Sequence, residues 1–207
     1  RIVDCAHGVL RGRWFDSDDH ARGSYFYVRA SGPDRVMDVV EQLVVERMPE
    51  RFGLDPKRDI QVIVPMRRGS VGTEAINERL RRAHGAGGPD DGGRFHVSER
   101  VMQTTNDYQR DVYNGDVGFV RATDPSGAVI VEMNGRDVAY DREGARSLER
   151  AYAVTVHKSQ GSEYPAVVVV LTTQHYRLLQ RNLLYTAVSR ARDHLIVVAM
   201  PRAIDLA

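Results

Sequence analysis

The sequence predicts an α/β protein, a mostly parallel sheet with helices on both faces, interrupted by a small antiparallel β insertion. Three observations carry this. Towards both ends of the chain, short β-branched apolar runs alternate with amphipathic helical patterns, as they do in sheets covered on two sides. Residues 96–149 instead hold several short strand signals separated by Asn-Gly and Asp-Pro-Ser-Gly turns. The composition, 42% apolar and 28% charged over 207 residues, supports a buried core and is too apolar for a disordered chain.

Along the chain, Ile2, Cys5, Ala6, Val9 and Leu10 recur at helical spacing, and Gly12 ends that helix. Residues 24–28, aromatic and β-branched, form a strand. Asp34 caps a helix that carries Val36, Val39, Val40, Leu43 and Val44 on one side and stops near Pro49. The run 60–64 has the continuous apolar content of a buried strand and ends at Pro65. Gly69 and Gly72 lead into a helix bearing Ile76 and Leu80 that ends around Gly85. Residues 85–93 (GAGGPDDGG) mark a loop or a domain crossing. Strand candidates at 100–104, 117–122, 128–133 and 138–140 follow, and Asn134-Gly135 is the best hairpin turn among them. Buried-strand patterns return at 151–156, 166–171 and 195–200, with a helix over 177–191 between the last two. The simplest assembly is one discontinuous α/β domain, 1–95 and 150–207, carrying the β insertion 96–149.

Twenty-nine cationic and 28 anionic residues leave a formal charge of +1, so any nucleic-acid binding has to come from a local patch. The longest apolar run, 165–171, is far short of the roughly 18 residues of a membrane span. A single cysteine, Cys5, excludes an internal disulfide framework and a thiolate zinc cluster; it suits a reducing compartment, the cytoplasm, as a small buried residue. With Arg1 first and no charged-then-apolar leader, the chain is expected to be a piece of a longer protein.

Three segments concentrate chemistry. The loop 157–163 (HKSQGSE) follows a strand, so it is expected at the carboxyl edge of the sheet, where α/β proteins bind ligands. Its donors suit phosphate oxygens, and Lys158 is one of only two lysines in the chain; the same composition also suits an exposed polar turn. In 184–192 (LYTAVSRAR), Arg190 and Arg192 fall late on the expected helix, where cations complement the negative dipole end or simply meet solvent. The stretch 65–73 (PMRRGSVGT) joins a strand end to a helix start through glycines, a geometry that serves anions or an ordinary tight turn. The histidines lack metal-ligand spacing, and His157 and His175 are expected as polar surface or site residues. Neither a GxSxG nucleophile elbow nor a GxxxxGK[ST] phosphate loop occurs in the sequence.

Taken in order, the segments are more specific than any one alone. AYAVTVHKSQGSEYPAVVVVL (151–171) followed by NLLYTAVSRARDHLIVV (182–198) resembles motifs V and VI of superfamily-one DNA helicases. The RecD-like branch, which includes the alpha subunit of exonuclease V, is the most similar. QVIVPMRRGSVGTEAINERL (61–80) resembles that branch's second motor domain, and VMQTTNDYQRDVYNGDVGFV (101–120) the start of its SH3-like insertion. Residues 1–12 resemble the helix after motif IV.

The resemblance implies a RecA-like second motor domain with an SH3-like β-barrel inserted in it. ATP, with Mg2+, would sit between it and an N-terminal RecA-like domain that carries the Walker motifs. In that arrangement Arg190 reaches the γ-phosphate as an arginine finger, and no metal ligand is assigned to this chain. Gln160, Gly161 and Glu163 line the nucleotide, Glu163 accepting from the ribose and Gly161 allowing close approach. Pro65, Thr155, His157, Lys158 and Ser159 belong to the single-stranded DNA track or the cleft beside it. The whole protein would be an ATP-dependent 5′→3′ helicase of DNA repair and recombination, with exonuclease V type subunits as further partners; this chain alone would be inactive. Its rivals are a non-catalytic DNA- or protein-binding module and the lobe of a relaxase-associated or viral helicase.

Overall fold

A strand buried on both faces needs apolar side chains pointing both ways, and five segments supply them. In the computed structural model, β1 (Tyr25–Arg29), β2 (Ile60–Val64), β8 (Ala153–Thr155), β9 (Tyr164–Leu171) and β10 (Ala191–Ala199) form one sheet in the order β1-β10-β9-β2-β8. Every neighbouring pair is parallel. β2 is buried throughout, as is β9 from Ala166 onwards. The structure describes residues 2–11, 24–85 and 94–206; Gly12, the stretch 86–93 and the Cys5 side chain lie outside the described residues.

The sheet belongs to a unit made of Arg1–Ile76 and Ala153–Ala207, and Asn77–Tyr152 form a second unit. The helices are α1 (Ile2–Leu10), α2 (Pro33–Gln42), α3 (Met48–Phe52), α4 (Thr73–Ala83), α5 (Arg181–Val188) and α6 (Pro201–Asp205). The boundary between the units falls within α4.

Pro49 does not stop the second helix. α2 widens into a π-turn at Leu43–Arg47, where the Met48 N–H donates to the Leu43 carbonyl, and continues as α3 with Pro49 in its first turn. The wider turn accommodates a ring that would strike a carbonyl in an unbroken helix. Gly53, at φ 66, ends α3 and donates to the Pro49 carbonyl.

Two further boundaries differ from the sequence pattern. The strand expected over 151–156 is shorter: β8 spans Ala153–Thr155 and pairs in the first unit, while β7 (Leu148–Arg150), just before the expected strand, pairs in the second. The helix expected over 177–191 is shorter: Gln180 is extended, α5 spans Arg181–Val188, and β10 already begins at Ala191. Arg192 therefore lies on a strand rather than late on a helix. It pairs with Asp193 at 2.9 Å inside an irregularity of the β9–β10 ladder, and this polar start hides the strand from an apolar search.

In the second unit, β3 (Arg100–Gln103), β4 (Val117–Thr123), β5 (Val129–Met133), β6 (Arg136–Tyr140) and β7 form an antiparallel sheet in the order β6-β5-β4-β3-β7. Pairing leaves β6 and β7 as edges, so backbone hydrogen bonds do not close it into a barrel among the described residues. Val101, Val120, Val131, Met133 and Leu148 fill its core. Asn134 and Gly135 have φ of 51 and 77, the positive values a type I′ turn needs, and set Met133 opposite Arg136.

Two buried polar groups there, Tyr140 and Glu99, find partners. The Tyr140 hydroxyl donates to Gln103 Oε1 at 3.1 Å, and burial pushes the phenol up to about 12. Glu99, fully buried, accepts from Arg150 at 3.1 Å; burial raises its carboxyl above the usual range and the guanidinium works against that shift. Among the described residues no helix is long and apolar enough to cross a membrane.

Candidate functional site

The segment that follows β8 does not stay at the carboxyl edge. Thr155 is level with Val64 on β2, and Ile63 with Val169 on β9, so Thr155 lies level with Val170. The chain re-enters the sheet at Tyr164, six residues upstream of that level and ~20 Å away at about 3.3 Å per residue. Residues 156–163 therefore begin at the carboxyl edge and finish at the amino edge, passing β2 on the way. Parallel crossovers commonly take a dozen residues or more. This one has a single 3-10 turn, His157–Ser159, and a left-handed residue, Gly161 at φ 82.

The crossover separates the predicted site residues into two groups. At its start, the Lys158 N–H donates to Thr155 Oγ1 at 3.4 Å and the Val156 N–H to the Val64 carbonyl, next to Pro65. Thr155 is half-buried and His157 exposed, whereas Pro65 is buried. Ser159 is fully buried, its hydroxyl donating to the Val156 carbonyl at 2.8 Å, so it holds the turn. Gln160, exposed, closes the starting turn with its N–H on the His157 carbonyl, and at the far end Gly161 and Glu163 are exposed. Gly161 has open space where a Cβ would sit, so the positive φ is what requires glycine there.

Arg190 meets that far end. It follows the α5 C-cap Ser189, and its carbonyl accepts from the Tyr164 N–H at 2.9 Å. Its guanidinium donates through Nε to the Thr186 carbonyl at 3.1 Å and through Nη1 to the Ser162 carbonyl at 3.2 Å. Nη2 donates to Ser189 Oγ at 3.0 Å. The side chain thus lies against the residue next to Glu163. A guanidinium has five N–H donors. With three bonds made, one donor on each terminal nitrogen remains, the fork that suits phosphate oxygens.

Beside these groups, a cleft of ≈ 280 Å³ lies between the crossover and α5, lined by Val156, His157, Gln160, Leu178, Gln180, Asn182, Leu183 and Thr186. Its lining combines three aliphatic side chains, three amides, an imidazole and a hydroxyl.

The 65–73 loop is organised differently from an open anion cradle. The Thr73 and Glu74 N–H groups at the start of α4 donate to the Met66 and Arg67 carbonyls, and Arg67 pairs with Glu74 at 2.8 Å. A Cβ at Gly72 would fall 2.4 Å from the Arg67 carbonyl oxygen, which fixes glycine there. His175, expected as a polar surface or site residue, is buried under this edge. Its Nδ1 accepts from the Thr172 N–H at 3.1 Å and its ring also bonds the Val71 backbone. Gln174 Nε2 donates to Ser70 Oγ at 2.7 Å, tying the same two turns together.

Composition does not single out Ser162, Thr186 or Ser189; the only signal for Ser189 is a hydroxyl residue directly before Arg190 at a helix end.

The comparisons with known proteins identify the family of this parallel-sheet fold. Residues 150–198 match the UvrD-like helicase C-terminal domain, and residues 74–133 the SH3 domain of ATP-dependent RecD-like DNA helicases. The chain belongs to the RecD-like helicase family, to whose C-terminal portion it is homologous. It is 35% identical over 198 residues to the ATP-dependent RecD2 DNA helicase of Deinococcus radiodurans, covering 93% of this chain and 26% of that protein. It is 39% identical over 150 residues to the RecBCD enzyme subunit RecD of Mycolicibacterium smegmatis, covering 72% and 26%. The chain thus spans about a quarter of the length of these relatives.

Among solved structures, a Bacteroides Pif1 helicase in complex with ADP-AlF3 and single-stranded DNA aligns at a TM-score of 0.57 and 17% identity, over 95% of this chain and 48% of that one. The Pif1 helicase of Candida albicans aligns at 0.54 and 17% identity, over 99% and 54%. At that identity the likeness is one of fold, and it is the RecA-like motor fold.

Proposed function

We propose that this chain supplies the second half of the ATP cleft and part of the single-stranded DNA track of an ATP-dependent 5′→3′ DNA helicase. In this reading residues 1–95 and 150–207 are the motor domain, 96–149 its insertion, and an N-terminal RecA-like domain the partner that closes the cleft. The observation that carries it is the convergence of Arg190 and the Gly161–Glu163 end of the crossover at one sheet edge.

The uncommitted Arg190 donors meet the γ-phosphate of ATP, where guanidinium charge offsets the charge that develops during transfer to water. Magnesium accompanies the nucleotide and neutralises phosphate charge when bound. Glu163 accepts from the ribose hydroxyls, and the left-handed turn at Gly161 brings the backbone close without a side chain in the way. At the opposite edge Thr155, His157 and Lys158 face the DNA strand, with buried Pro65 and Ser159 shaping the turn beneath them. The names of the relatives support ATP and DNA as ligands, and the RecD naming supports exonuclease V type subunits as further partners.

The test is Arg190→Ala in the intact helicase. ATP binding is expected to persist while DNA-stimulated turnover falls by about a thousandfold or more, in the range arginine fingers supply. An unchanged turnover would remove Arg190 from this role.

A further inference from the structure

We propose that Ser189 is a positioning residue for Arg190, its hydroxyl fixing the plane of the guanidinium so that the two uncommitted donors project together. The inference rests on the nucleotide role given to Arg190 above.

The three anchors of that guanidinium are unequal. Thr186 and Ser162 contribute backbone carbonyls, which any residues there would offer. Ser189 contributes the one side chain. Its hydroxyl also donates to the Thr186 carbonyl at 3.0 Å, the same oxygen that accepts from Arg190 Nε. A closed ring results, running from Nε through Cζ and Nη2 to the serine oxygen, on to the Thr186 carbonyl and back. Because the hydroxyl proton is committed to the carbonyl, the oxygen's lone pairs are left for Nη2.

Two bonds to one edge of a planar group prevent it from turning about the Cδ–Nε and Nε–Cζ axes. The Ser162 bond on Nη1 then sets the tilt. The serine backbone is held independently, at the C-cap of α5 with its N–H on the Tyr185 carbonyl at 3.0 Å. Removing the hydroxyl therefore opens the ring and leaves the helix end in place. A donor fork free to swing meets its phosphate in fewer encounters, which slows the chemical step and leaves ground-state binding of the nucleotide to its other contacts.

The experiment compares Ser189→Ala, Ser189→Thr and Arg190→Ala in the intact helicase by DNA-stimulated ATP turnover. Ser189→Ala is expected to lower kcat by about tenfold with KM for ATP within about twofold, the split that marks an interaction made in the transition state. Ser189→Thr, which keeps the hydroxyl, is expected to restore most of kcat, whereas a role confined to helix capping would move the melting temperature and not this split. Parental kcat in Ser189→Ala overturns the proposal, as does equal slowing in the alanine and threonine variants. If Arg190→Ala itself turns over at the parental rate, the reading of Arg190 fails instead, a separate outcome. Should Ser189→Ala melt early, NMR of the 15N-labelled parent chain decides: resolved, slowly rotating Nη2 protons at Arg190 support the ring, and averaged ones overturn it.

Discussion

His175 is 1% exposed, its Nδ1 committed as an acceptor to the Thr172 N–H, and burial pushes its pKa down to about 4. The ring therefore stays neutral in the folded protein at pH values where the unfolded chain takes up a proton. Stability is fully retained above the ordinary value of 6.5 and falls as pH drops from there towards 4. Each tenfold difference in proton affinity between the folded and unfolded chains is worth ~1.4 kcal/mol, so the loss across that window is on the order of 3 kcal/mol. Burial lowers the pKa of His194 too, where its ring stacks on Phe52 at 3.9 Å, and this adds in the same direction. Urea titrations between pH 7 and 4.5 are expected to show this decline, and His175→Gln to flatten it; a slope identical in both proteins would assign the acid sensitivity elsewhere. Nothing in the surrounding TTQHY announces a buried ring, because the apolar strand β9 ends at Leu171, before it. Arg190 was legible for the opposite reason, since a string of neighbours carries its motif while its anchoring carbonyls carry no letter at all.

Elements whose burial is uniform were legible, and those whose environment changes midway were not. β2 and β9 announce themselves because both faces are covered, whereas β7, the short Leu148–Arg150 with two charged residues, gives no apolar signal of its own. The antiparallel hairpin at Asn134-Gly135 was legible from turn chemistry, for only residues that tolerate positive φ fit it. The crossover 156–163 was legible as chemistry and misplaced as geometry: motif residues were visible, yet their spread over both sheet edges follows from strand register, which no single segment encodes. Its left-handed residue provides a direct check. Gly161→Ala introduces a methyl group into open space at φ 82, so the expected cost of about 1 kcal/mol is purely that of the backbone. A chemical denaturation midpoint indistinguishable from the parent's would mean that this residue relaxes out of the left-handed region.

At the scale of the molecule, the sequence carries donors for a triphosphate and no GxxxxGK[ST] loop to cradle one. Alone with single-stranded DNA and ATP, the chain is expected to show no turnover above background, and turnover would place a complete hydrolytic site within these 207 residues. The same preparation reports on the track, because displaced counterions make phosphate-mediated binding weaken steeply with salt.

The eight residues between β8 and β9 have a mechanical consequence. Nine peptide steps span ~20 Å along the strands and about 10 Å across β2, a straight line of roughly 22 Å, against a limit of about 30 Å for a fully extended chain. Nine helical residues would reach only about 14 Å, so this crossover has to stay largely extended outside its single turn.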